Sequence, residues 1–158
     1  SILRAVARAA SQESGLYGED GYQASRIDSF LDADLVFARE AQVYLLGIDK
    51  ISEESYQRMS AAYEFYLSGI EATLSDNQYL AGNLLTIADI SFVCDFAQFL
   101  REGHYEEQLA GQGLSLISEG GQEEYPRAYE HMLELNARPE FSEVMGSYLS
   151  WYRRKLEG

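Results

Sequence analysis

The sequence predicts an all-α bundle of about five or six helices, and three observations carry that expectation. Apolar residues recur at three- and four-residue spacings along most of the chain. No period-two strand pattern of useful length occurs. Only two prolines are present, Pro126 and Pro139, and each stands where a helical pattern begins, which is the helical position that tolerates proline best.

Composition sets the limits. At 158 residues the chain is long enough for one domain with a substantial core. Its 46% hydrophobic residues, with twelve tyrosines, exclude a disordered chain. The net charge of −14 argues against nucleic acid and anionic membranes as partners. No apolar run approaches the ~20 residues that span a membrane. Cys94 is the lone cysteine, so no internal disulfide forms, and its apolar helical setting suits a small core residue. An acidic, cytoplasmic protein is expected.

The first helical pattern covers residues 2–10. The second, 22–46, carries two apolar faces. Ile27, Leu31, Leu35, Ala38 and Leu45 form one, expected to pack the core. Phe30, Ala33, Phe37, Ala41 and Tyr44 form another, turned about 100° away. Two faces imply two packing partners, so Phe30, Phe37, Ala41 and Tyr44 are interface candidates. On this reading Phe37→Glu separates subunits without unfolding them. The remaining arc holds Asp28, Asp32, Val36, Arg39 and Val43. Asp32, Val36 and Arg39 are substrate-cleft candidates, whereas Asp28 is expected on a solvated face. The competing reading makes the whole arc solvated, with an Asp–Arg pair of small energetic worth.

Residues 54–75 form an ordinary amphipathic helix, with Tyr56, Met59, Tyr63, Tyr66, Ile70 and Leu74 on its core stripe. The helix predicted at 86–102 has the most tightly specified start. Thr86 is a good N-cap, and Asp89 can return the bond as in a capping box. Leu85 and Ile90 have the spacing of a hydrophobic staple. This helix is apolar nearly all round and so belongs at the centre. Ser91, Asp95, Gln98 and Glu102 share one narrow stripe, which is either a solvated edge or a set that holds a neighbouring helix through a buried Asp95.

Residues 103–122 contain five glycines and read as a long connection with one helical turn near 106–110. Helices at 124–136 and 139–156 complete the chain. The last has Phe141, Met145, Tyr148 and Tyr152 on one stripe and ends in Arg153-Arg154-Lys155, cations that suit a helix C-terminus. No constellation carries chemistry unaided. His104 and His131 have no neighbouring cysteine or second histidine, so no metal site is expected. Neither a phosphate-binding glycine loop nor a Gly-x-Ser-x-Gly elbow occurs.

Tyr79-Leu80-Ala81-Gly82, followed by Leu85-Thr86-Ile87-Ala88-Asp89-Ile90, resembles the start of the central helix in the C-terminal domain of cytosolic glutathione transferases. Tyr125-Pro126 and Arg138-Pro139-Glu140-Phe141 resemble that family's last two helix starts. Ser1 to Ala7 resembles the last helix of its thioredoxin-like domain, with Ala5 where the family often has Tyr. The resemblance implies that residues 1–10 end a thioredoxin-like domain and 11–158 form the helical domain. It implies glutathione as co-substrate, held mainly by the thioredoxin-like domain together with the thiol-activating residue. It also implies a small apolar electrophile as second substrate, a homodimer, and no nucleic-acid or membrane partner. An alternative within the resemblance is a non-catalytic scaffold, as in translation elongation factor 1-gamma or aminoacyl-tRNA synthetase assembly domains. Phe30 to Leu35 and Tyr44 to Ile48 have some likeness to the elongation-factor branch.

Overall fold

The chain folds as a helical bundle in a computed structural model that describes residues 2–10 and 14–157. Helix α1 spans Ile2–Ala9, α2 Gly21–Gly47, α3 Glu53–Leu74 and α4 Ile87–Phe99. Short helices α5 (Glu106–Gly111) and α6 (Gly121–Glu124) punctuate the long connection. Helices α7 (Pro126–Ala137), α8 (Pro139–Met145) and α9 (Ser150–Glu157) complete the bundle. Among the described residues there is no strand, only an isolated bridge between Tyr79 and Gly82.

Helix α4 is the axis of the bundle. Phe92, Val93, Phe96, Ala97 and Phe99 are fully buried, and the edge that carries Ser91, Asp95 and Gln98 reaches towards solvent. Helices α2 and α7 both pack on it, and α3 packs on both of those. The aromatic side chains interlock around Phe96. Its ring stacks on Phe92 at 5.4 Å and meets Tyr129 edge-on at 5.0 Å. Such pairs add about 0.5–1.5 kcal/mol beyond the area they bury.

The start of α4 is fixed by a capping box between Thr86 and Asp89. The Ala88 N–H donates to Thr86 Oγ1 at 3.3 Å, and the Thr86 N–H donates to Asp89 Oδ2 at 2.9 Å. Asp89 does more than close the box. Its Oδ1 accepts from the Leu80 N–H at 2.9 Å and from His131 Nε2 of α7 at 3.0 Å. One fully buried carboxylate therefore joins the 79–86 loop, the α4 N-terminus and α7.

The structure corrects the two-face reading of α2. The buried stripe runs Ile27, Leu31, Asp34, Phe37, Ala41 and Tyr44, continuing to Ile48 just beyond the helix. Phe37, Ala41 and Tyr44 are thus core residues, not interface residues. Phe37 stacks on Tyr66 of α3 at 4.9 Å and is 1% exposed. Leu35, expected inside, is 67% exposed. The physical reason is Asp34. Each step along the true stripe is three or four residues, the helical repeat. A carboxylate in that stripe interrupts the apolar pattern and diverts it to the neighbouring Leu35.

Two further departures lie towards the C-terminus. Glu102, part of the stripe read as a possible solvated edge, is fully buried within a 3-10 segment at Leu100–Tyr105. The last helix breaks between α8 and α9, where α8 is capped by Gly146. A Cβ on Gly146 would lie 2.6 Å from the Ser142 carbonyl oxygen, so this turn depends on glycine.

Thr86→Ala should cost about 1 kcal/mol, the usual worth of an N-cap. Asp89→Ala should cost about 3–5 kcal/mol, because it strands several buried donors at once. Urea denaturation of both variants checks the order of the two effects.

Candidate substrate-side face and the buried carboxylates

The outer face of α2 carries several large apolar side chains that the described bundle leaves uncovered. Leu35, Val36, Val43 and Leu46 are all well exposed, with Asp32 and Arg39 among them. Their spacing is again three and four residues, which keeps them on one side of the helix. The cleft candidates Asp32, Val36 and Arg39 therefore share a face, and it faces solvent here. Helix α1 is tied to the same helix through Arg4, and its Ile2 and Val6 are exposed while Ala7 is buried against the core.

A polar clamp fixes α1 to α2. Arg4 Nε donates to Asp28 Oδ1 at 2.6 Å, and Arg4 Nη2 also reaches Asp32 Oδ1. Tyr17 Oη donates to Asp28 Oδ2 at 2.7 Å and accepts from Arg8 Nη2 at 2.7 Å. Asp28, expected on a solvated face, is instead half-buried at the centre of this clamp. The Tyr17 hydroxyl and the Arg4 guanidinium hold its carboxyl below the usual range.

Among the concavities of the described residues, two are lined mainly by apolar side chains. A groove of about 650 Å³ runs between α2 and α3, floored by Ala33, Ala61 and Gly69 and walled by Phe30 and Phe65. Phe30 is the interface candidate that does remain at the surface, half-buried in this groove. Phe65, which the sequence pattern did not single out, is 76% exposed. A smaller apolar pocket lies between α4 and α8. Leu85 and Ile90, the expected staple pair, line it together with Cys94, Phe141, Val144 and Met145. Burial pushes the Cys94 thiol up, so it is a poor nucleophile there.

Buried carboxylates are the other chemistry present. Glu102 accepts from the Tyr44 hydroxyl at 2.9 Å and from the N–H groups of Ile117 and Ser118 at 3.2 and 2.7 Å. Burial raises its carboxyl above the usual range, and these bonds partly offset that. Burial, followed by the nearby Glu102 charge, pushes the Tyr44 hydroxyl upward. Asp34 accepts from Ser91 Oγ of α4. None of these groups opens onto the exposed α2 face, and they hold helices together. Among the described residues, no group of three or more His, Cys, Asp and Glu side chains is arranged to hold a metal ion. No described helix is long and apolar enough to cross a membrane.

Sequence reasoning missed Asp34, Glu102 and His131 as buried partners. For Asp34 a signal existed, since it sits in helical register with Ile27, Leu31, Phe37 and Tyr44. His131 gave none, because its partner Asp89 lies 42 residues away.

The fold has α4 at its axis, a capping box at the start of α4, and an uncovered apolar face on α2. Residues 27–139 match the family model of the glutathione S-transferase C-terminal domain. The chain belongs to that family. Among curated proteins and among solved structures nothing matches it. The glutathione transferase match includes α3, α4 and α7 entire and nearly all of α2, so it embraces the capping box, the groove and the exposed α2 face.

Phe37→Glu should now unfold the domain rather than alter its association, because it places a charge in a site 1% exposed. Leu46→Lys, at a position 82% exposed, should shift stability by no more than about 0.5 kcal/mol. Circular dichroism during thermal unfolding separates the two.

Proposed function

We propose that this chain forms the helical, substrate-side half of a glutathione transferase-like protein that acts on apolar electrophiles. The single observation that carries the reading is the uncovered apolar stripe on α2, Leu35, Val36, Val43 and Leu46, on the helix to which α1, with its own exposed Ile2 and Val6, is tied through Arg4. Membership of the glutathione S-transferase C-terminal domain family supports it. A lone small domain rarely leaves such a stripe wet. A thioredoxin-like domain packed on α1 would shelter it and form a cleft with one apolar wall.

In that cleft the work divides by chemistry. Glutathione, the co-substrate, is held by the thioredoxin-like domain, which also supplies the group that ionises its thiol. The α2 face receives the apolar electrophile, and Val36 and Leu35 shield it from water. Arg39 and Asp32 at the rim set which polar substituents are accepted. No step of bond making falls to a side chain of this chain.

The same reading includes a cytoplasmic homodimer. The α2–α3 groove has a floor of small side chains and a protruding Phe65 beside it, a shape that suits apolar contact with a second copy. The scaffold reading rests on the likeness of Phe30 to Leu35 and Tyr44 to Ile48 to the elongation-factor branch.

Val36→Glu in the intact protein should raise KM for an apolar electrophile about tenfold or more, the worth of one buried apolar side chain, and leave KM for glutathione unchanged. Residues 1–158 alone should neither conjugate nor bind glutathione tightly. Absence of any conjugating or thiol-transfer activity in the intact protein would favour the scaffold. Tight stoichiometric glutathione binding by residues 1–158 in calorimetry would overturn the division of labour.

A further inference from the structure

A further cavity lies beneath α9. Its volume is about 530 Å³, within the range of small-molecule sites. Gln122 and Glu123 of α6, Tyr129 of α7, and Trp151, Tyr152 and Lys155 of α9 line it. The loop after α1 bonds to the start of α4, where the Ile87 N–H donates to the Leu16 carbonyl at 3.0 Å. The cavity stands at the other end of α4, where α9 packs on the segment Leu100–Tyr105. The 13 residues of α4 separate these two ends by roughly 20 Å of helix. The cavity shares no residue with the exposed α2 face, so its ligand is argued independently of the function proposed for that face.

Its walls combine fixed aromatic rings with two unspent donors. Tyr129 and Tyr152 are buried, with ring centroids 5.6 Å apart. Trp151 lies so close on Gly103 that a Cβ there would sit 2.2 Å from the indole. Tyr152 Oη donates to Gln122 Oε1 at 2.9 Å. That bond orients the Gln122 amide and leaves its Nε2 hydrogens without an acceptor among the described residues. Lys155 Nζ lies 5.0 Å from the centre of the Trp151 ring. Acidic residues outnumber Lys and Arg by 26 to 12, yet among the described residues Lys155 pairs with no carboxylate. Glu123, on the same wall, pairs with no cation among them.

We propose that this cavity binds a small aromatic carboxylate, with its ring against Tyr152 and Trp151 and its carboxylate on the Lys155 ammonium and the Gln122 amide. Rigid aromatic walls favour a planar aromatic guest through edge and offset contacts. A carboxylate is the group that both donors answer at once, and its bond to the ammonium is charge-assisted. Glu123 restricts the guest to a single negative charge, because a second carboxylate would face it across the cavity. The bound molecule joins α9 to α6 beside the Tyr152–Gln122 bond, so occupancy fastens the last helix to the bundle.

The chain holds a single tryptophan, so the indole N–H resonance of Trp151 reports on this cavity directly. Titration with cinnamate should move that resonance to saturation. Lys155→Ala should weaken cinnamate binding about fivefold and Glu123→Gln should strengthen it about twofold, the scale of one partly exposed charge pair. Both positions are exposed, so both variants keep the fold, and a merely structural role would not give the two changes opposite signs. Cinnamylamine, the cationic counterpart, should bind more weakly than cinnamate. Absence of a saturable shift, equal affinity for the two probes, or equal affinity of wild type and Lys155→Ala would overturn the site. So would loss of the cinnamate shift in Val36→Glu, which would put the guest on the α2 face instead.

Discussion

The bundle depends on one carboxylate at the head of its central helix. A helix start leaves N–H groups unsatisfied, and at the N-terminus of α4 they are buried, where water cannot answer them. Asp89 answers the Thr86 N–H, then uses its other oxygen on the Leu80 N–H and on His131. A buried charge is tolerable only with such a set of donors. The same group that defines where α4 begins also sets how the preceding loop enters and where α7 lies. The aromatic layer around Phe96 can be close-packed because this positioning is already settled.

Polar groups inside this core act as registers, not as chemistry. Asp34 meets Ser91, Glu102 meets Tyr44, and the hydroxyls of Tyr63 and Tyr129 meet at 2.9 Å. Each pair joins two different elements. Apolar packing alone is tolerant of sliding and rotation, since one methyl group resembles another. Hydrogen bonds between fixed partners remove that tolerance. Gly121 shows how close the fit is, for a Cβ there would lie 2.0 Å from the Tyr63 hydroxyl.

Much of the fold was legible because its signals are local. The Thr86–Asp89 box lies within four residues, and the helices at 54–75 and 124–136 follow a plain 3.6-residue pattern. Pro126 and Pro139 mark their helix starts for the reason that proline lacks an N–H that an initial turn does not need. What failed was the rotation of α2. Its setting is decided by Asp34, whose burial depends on Ser91, 57 residues away. A single sequence shows the carboxylate but not the donor that makes it tolerable. The exposed face of α2 was legible in part, through Val36 and Arg39. Its apolar extent is hidden in the sequence because Leu35 falls in helical register with Ile27, Leu31, Ala38 and Leu45.

Glu102 has a consequence for how this protein can vary. It grips the long connection from within, and at Ile117 and Ser118 it does so through main-chain N–H groups that every residue except proline possesses. The path of the chain there is therefore decoupled from the identity of the side chains it carries. Such a segment can exchange its outward-facing residues through evolutionary drift, and so acquire or lose contacts, while the interior that anchors it stays the same.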